Sequence, residues 1–122
     1  MRIAVPRWHN RVSPVLDAAC TFAVYDTDMG NCDEPEVVTV RDCDALTRIQ
    51  LLSKLNIDVV ICGAVSKPVE LALLSSGMQV IANRCGEVDE IYHAFLHDGL
   101  DRQIFFMPGN YTAYDNREEK TE

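Results

Sequence analysis

Apolar and polar positions change their period partway along the chain. Ile3-Ala4-Val5, Phe22-Ala23-Val24-Tyr25 and Val37-Val38-Thr39-Val40 are short runs rich in β-branched and aromatic residues, the pattern of strands. Asp26 to Glu36, between the second and third, carries Asp, Gly, Asn and Pro, so a hairpin with a loose loop is the simplest connection. Pro6 closes the first run. Ser13-Pro14 then disfavours helix at Ser13 and leaves room for one short helical turn around Val15 to Cys20. From Asp44 the pattern turns helical: Asp44 can cap a helix whose positions Ala45, Leu46, Ile49, Leu52 and Leu55 share a face, and Asn56 suits its stop. Ile57 to Cys62 and Met78 to Ala82 read as buried strands. Between them Ser66 can cap a helix with Pro68 in its first turn, Val69, Ala72, Leu73 and Ser76 facing inward, and Gly77 ending it. Glu87, Asp89 and Glu90 load the start of a last helix with the charge its dipole favours, and Val88, Ile91, Tyr92, Phe95 and Leu96 form its apolar stripe.

The predicted order is β-β-β-α-β-α-β-α. Right-handed crossovers place helices over a sheet whose last strands run parallel, while the opening hairpin adds antiparallel character. The fold class is α/β, a mixed five-stranded sheet in two or three layers, a layout like that of ribonuclease H. At 122 residues, 48% of them hydrophobic, the chain is sized for one domain that folds without a metal or disulfide. That domain is expected over residues 1–100. The apolar pattern weakens from Asp98, and 101–122 reads as a polar, frayed extension with the charge run Arg117-Glu118-Glu119-Lys120.

Charge narrows the choice of partners. Nineteen Asp and Glu against eleven Lys and Arg give a formal charge of −8, which argues against nucleic acid or an anionic membrane surface, since both reward surplus cations. No apolar run approaches the roughly 20 residues that span a bilayer, and the opening run is too short for a signal-peptide core. A cytoplasmic location is the expectation. Cys20, Cys32, Cys43, Cys62 and Cys85 are five cysteines with no C-x-x-C pair, so a disulfide framework, a zinc ribbon and a thioredoxin-type motif all fail. Each thiol is then either a small buried hydrophobe or a ligand.

Ligands of such sheets sit at the carboxyl ends of the parallel strands. Three segments are expected there: Pro6 to Arg11, Cys62 to Ser66, and Asn83 to Gly86. If the first strand lies beside Ile57–Cys62, these loops form one rim carrying Cys62, Cys85, His9 and the guanidinium groups of Arg7, Arg11 and Arg84. Cys62 is a ligand or a buried filler. Cys85 precedes a helix start, where a thiol's pKa falls and its thiolate can bind soft metals. His9 is a ligand or a surface histidine, and Trp8 covers the sheet end or flanks a ligand. Cys20 suits packing, Cys32 lies in a loop, and Cys43 precedes a helix start on the opposite edge. Two-metal nuclease chemistry needs convergent carboxylates, and Ile3-Ala4-Val5 has no acid. Motifs of serine hydrolases, zinc proteases, P-loops and dinucleotide folds are missing from the sequence. A Cys85, His9, Asp89 nucleophilic set can be drawn without any motif to support it.

Met1-Arg2-Ile3-Ala4-Val5-Pro6, Arg11-Val12-Ser13-Pro14-Val15-Leu16-Asp17-Ala18-Ala19 and Phe22-Ala23-Val24-Tyr25-Asp26 resemble the opening of the dinitrogenase iron–molybdenum cofactor biosynthesis family. Ile61-Cys62-Gly63-Ala64-Val65-Ser66, Gly77-Met78-Gln79-Val80-Ile81, Cys85-Gly86-Glu87-Val88 and Ala94-Phe95-Leu96 continue the likeness in order. It spans roughly Met1 to Leu100 and is a likeness to small stand-alone members of the NifX and NifB C-terminal-domain type. The resemblance implies a ribonuclease H-like fold and a non-catalytic carrier or scaffold. Its cargo would be an iron–sulfur or iron–molybdenum type cluster, or a precursor, handed to a partner protein. It implies cofactor-binding roles for His9, Asn10, Arg11, Cys62, Gly63, Cys85 and Gly86, with Cys62, Cys85 and His9 as metal ligands, and it permits a homodimer. Leu16, where the family often has Phe, is a departure that affects packing only. A metal-free regulatory or adaptor module and a hydrolase using Cys85 are the competing classes.

Overall fold

A computed structural model describes residues 1–27, 35–40, 44–97 and 99. The described strands are β1 (Arg2–Trp8), β2 (Arg11–Val12), β3 (Thr21–Asp26), β4 (Glu36–Thr39), β5 (Val59–Ile61) and β6 (Gln79–Ile81). The helices are α1 (Ala45–Lys54), α2 (Lys67–Ser75) and α3 (Val88–Leu96), with one 3-10 turn at Leu16–Ala18. The main path of the sheet is β4-β3-β1-β5-β6, and β2 pairs with β1 beside it. β1 is antiparallel to β3 and parallel to β5, and β5 is parallel to β6. The mixed α/β sheet therefore follows the expected order, with a sixth, two-residue strand added.

Two cores lie on opposite faces of the sheet, so the domain has three layers. Ala4, Phe22, Val24, Val60 and Cys62 meet Ile49 and Leu52 of α1 and Val69 and Leu73 of α2. Ile3, Val5, Ala23, Tyr25, Val59 and Ile61 meet Val88, Ile91 and Tyr92 of α3. Alternate residues of β1 and β5 feed opposite cores, which is why their sequences are apolar without a break.

The caps follow the sequence with one addition. Asp44 accepts from Thr47 N at 2.9 Å and opens α1, and Asn56 (φ 59°) and Gly77 (φ 90°) take the left-handed conformation after α1 and α2. Ser66 is the N-cap residue of α2 without a capping bond of its own. Asp17 reaches across instead, its Oδ1 accepting from Ser66 N at 3.0 Å. Burial pushes the Asp17 carboxyl up, but hydrogen bonds from Ser66 and the nearby Arg48 outweigh it and hold the group below its usual range. Arg48 ties the same turn down, donating to the carbonyls of Asp17 (2.6 Å) and Ala19 (2.8 Å).

Three expectations need correction. β1 runs through Pro6 to Trp8. The Pro6 carbonyl accepts from Ser13 N at 2.8 Å, and the N–H that proline lacks would point to that same side, away from the β3 ladder. Leu46 is 61% exposed, because the face that α1 buries centres on Ile49 and Leu52, with Ala45, Leu51 and Leu55 partly buried beside them. Cys20 is exposed rather than packed, its Sγ 3.8 Å from the Ala18 carbonyl. Cys32, Cys43 and the extension 101–122 lie outside the described residues.

Candidate functional site

β1 turns into β2 through His9-Asn10, with Trp8 opposite Arg11. His9 sits at φ 57°, a left-handed position that glycine tolerates best and histidine more readily than most residues. The turn lifts the imidazole into solvent, edge-on to the Trp8 ring at 4.4 Å. Trp8 is 62% exposed, so it does not cover the end of the sheet.

Backbone hydrogen bonds lace this hairpin to the other two predicted loops. Val12 N donates to Gly86 O and Val88 N to Asn10 O, both at 2.9 Å, joining it to the turn before α3. Ala64 N donates to Pro14 O and Leu16 N to Ala64 O, both at 2.8 Å, joining the segment after β2 to the β5–α2 loop. Arg84 N donates to Cys62 O and Asn83 N to Gly63 O, closing the circuit. The three loops form one rim, because β1 does lie beside β5.

Glycine is needed at two rim positions for the backbone's sake. A Cβ on Gly63 would stand 2.6 Å from Pro14 O and 2.7 Å from Ser13 O. Gly86 has φ 132°, which other residues rarely adopt.

The side chains divide more sharply than the backbone. Cys62 is fully buried in the core shared with α1 and α2. Burial, then the charges of Glu70 and Asp17, push its thiol up to about 12, which disfavours the thiolate form. The Cys62 carbonyl thus joins the rim, while its side chain lies in the core. Cys85 is half-buried, and His9, Asn10 and Arg11 are exposed. Arg7 Nε donates to His9 O at 2.8 Å, and Arg84 Nη1 to Ala82 O at 2.7 Å, so two of the guanidinium groups brace their own loops. Among the described residues, no three or more His, Cys, Asp or Glu side chains are grouped to hold a metal ion.

What lies on the α3 side has no signal in the sequence. Tyr25 is stacked on Tyr92, ring centroids 3.8 Å apart and 10° from parallel, and donates its hydroxyl to Asp89 Oδ1 at 2.8 Å. Burial and the Asp89 carboxylate raise the Tyr25 phenol well above its ordinary range. Asp89 is therefore engaged by a tyrosine. Tyr25→Phe is expected to lower unfolding free energy by about 1 kcal/mol, the net worth of such a bond, read as a shift of the urea midpoint at unchanged slope. Beside Tyr25 opens a polar cleft of about 240 Å³, lined also by Arg7, Asn10, Pro35, Glu87, Val88 and Asp89.

No described helix is long and apolar enough to cross a membrane. No curated protein matches the chain. Solved structures do. PH0822 superposes with a TM-score of 0.78 at 16% identity, over 92% of this chain and 98% of that one. The apo form of the orange protein from Desulfovibrio gigas gives 0.66 at 24% identity, over 80% and 88%. A Thermotoga protein provisionally assigned to NifB gives 0.67 at 25% identity, over 88% and 97%. The first two likenesses establish the fold. The family described as dinitrogenase iron–molybdenum cofactor matches residues 1–98, which take in every described element from β1 to the end of α3. This chain belongs to the dinitrogenase iron–molybdenum cofactor family.

Proposed function

We propose that the chain is a non-catalytic carrier or scaffold that takes an iron–sulfur or iron–molybdenum type cluster, or its precursor, as cargo and passes it to a partner protein. The family match over residues 1–98 is the observation that carries this reading. Within the rim, Cys85 and His9 are the donors within reach of solvent, and Arg7, Arg11 and Arg84 supply positive charge on a chain of net charge −8. A thiolate and an imidazole bind iron, and guanidinium groups offset an anionic cluster. Few protein ligands suit a cargo whose metals are already bridged by sulfide, because release to the next protein then breaks few bonds. In this reading Gly63 and Gly86 hold the loops in place, Asn10 contributes through its carbonyl bond to Val88, and Cys62 takes no part in ligation. Handover implies a protein partner, and the reading places it in the cytoplasm without membrane or nucleic acid.

Anaerobic reconstitution of the full chain with iron and sulfide is expected to give a brown protein with charge-transfer absorption. Cys85→Ser and His9→Gly should each reduce bound iron at least about tenfold, while Cys62→Ala loads normally. His9→Gly removes the imidazole while relaxing the left-handed turn, so lost loading cannot be blamed on misfolding. Protein that stays colourless and iron-free would leave a metal-free adaptor role in place of the carrier. Equal loading by wild type and both ligand variants would overturn the ligand assignment.

A further inference from the structure

The cleft on the α3 side is distinct in chemistry from the thiol and imidazole of the rim. Arg7 brings a positive charge from β1, while Glu87 and Asp89 bring negative charges from the start of α3. Asp89 is held in place by the hydroxyl of Tyr25, a side chain only 2% exposed and itself fixed by stacking on Tyr92. Asn10 adds an amide that can both donate and accept, and its position is pinned by the bond from Val88 N to its carbonyl. Among the described residues, no ion pair joins Arg7 to Glu87 or Asp89. The volume of about 240 Å³ falls below the roughly 300–1,000 Å³ of pockets for drug-sized ligands, so the occupant is small.

Charge then selects the ligand class. A simple anion is drawn to Arg7 but repelled by two carboxylates, and a simple cation meets the reverse arrangement. A molecule carrying a carboxylate and an ammonium a few bonds apart satisfies both poles at once. We infer that this cleft binds a small zwitterion of the α-amino acid class, with its carboxylate toward Arg7 and its ammonium toward Asp89 and Glu87. The site shares Arg7 and Asn10 with the proposed cluster rim but needs no metal, so it is tested on iron-free protein.

The experiment is an amide NMR titration of the full chain with glycine, L-alanine, L-serine and L-leucine, with acetate and methylammonium as single-charge controls. At least one amino acid is expected to shift the Arg7, Asn10, Glu87 and Asp89 resonances saturably, with half-saturation at or below about 1 mM. Either control alone should need at least about tenfold more. Asp89→Asn keeps an acceptor for Tyr25 while removing the charge, and it should weaken amino-acid binding about tenfold, as should Glu87→Gln. Shifts that never saturate, that acetate or methylammonium reproduces at equal concentration, or that survive both charge-neutral variants would overturn the assignment.

Discussion

Replacing Gly63 by alanine is expected to lower the stability of the domain by about 3 kcal/mol and its melting midpoint by roughly 10–20 °C. The reason is backbone against backbone. The new methyl carbon would lie 2.6 Å from Pro14 O and 2.7 Å from Ser13 O, atoms that cannot swing aside as a side chain can. Relief requires the Ser13–Pro14 segment to move away from the β5–α2 loop. That movement strains the bonds from Ala64 N to Pro14 O and from Leu16 N to Ala64 O, and through Gly63 O the link to Asn83. Overpacking of this kind costs about 1–3 kcal/mol, and each weakened backbone bond adds about 1 kcal/mol. Gly77→Ala is the control: nothing lies within 4 Å of its Cβ, and its φ of 90° brings only conformational strain, on the order of 1 kcal/mol. Thermal unfolding followed by circular dichroism reads both. A midpoint for Gly63→Ala within about 3 °C of wild type would show that the rim is looser than these distances require.

Gly63 also shows where the sequence stops being legible. The segment Cys62-Gly63-Ala64 marked a loop at a strand end, and the loop is there. Its glycine reads equally well as a ligand-facing turn and as a contact point between two backbones, because the second backbone comes from a segment some fifty residues earlier. The long elements were easier to read. α1, α2 and α3 announce themselves by period, by caps at Asp44 and Ser66 and by the acidic charge at Glu87, and each of those residues does stand at its helix start. β2 was invisible because two residues carry no period. The capping role of Asp17 toward α2 was invisible because it is a tertiary contact. Leu46 fits the apolar spacing of α1 yet faces solvent, since spacing defines a stripe but not how much of it the sheet covers. Strands buried on both faces hide one further fact. Val60 and Cys62 share the α1–α2 core while Val59 and Ile61 share the α3 core, so alternation says which residues go together but not which reach a rim.

Cys62 is where that ambiguity has chemical consequences. Native protein treated with iodoacetamide near pH 8 is expected to alkylate Cys20 and Cys85, while Cys62 reacts at least about a thousandfold more slowly. Cys20 is exposed and Cys85 half-buried, whereas Cys62 has no accessible surface. Raising a thiol from 9.0 to about 12 also cuts its thiolate fraction by about three powers of ten. The same shift has a signed effect on stability. The native state holds the Cys62 proton more tightly than the unfolded chain does, so that contribution is fully present below about pH 9 and is lost as pH rises toward 12. Across that window the loss reaches about 4 kcal/mol at most, near 1.4 kcal/mol per pH unit. Cys62→Ala removes this titration and leaves a small void, costing about 1 kcal/mol at pH 7. Wild type should therefore be the more stable protein at neutral pH and the less stable one by about pH 10–10.5, the two urea midpoints crossing between. The order of the two proteins at pH 10.5 decides whether Cys62 belongs to the core. A gap that stays constant from pH 7 to 11, or alkylation of Cys62 as fast as Cys85, would return this sulfur to the rim and to the list of candidate ligands.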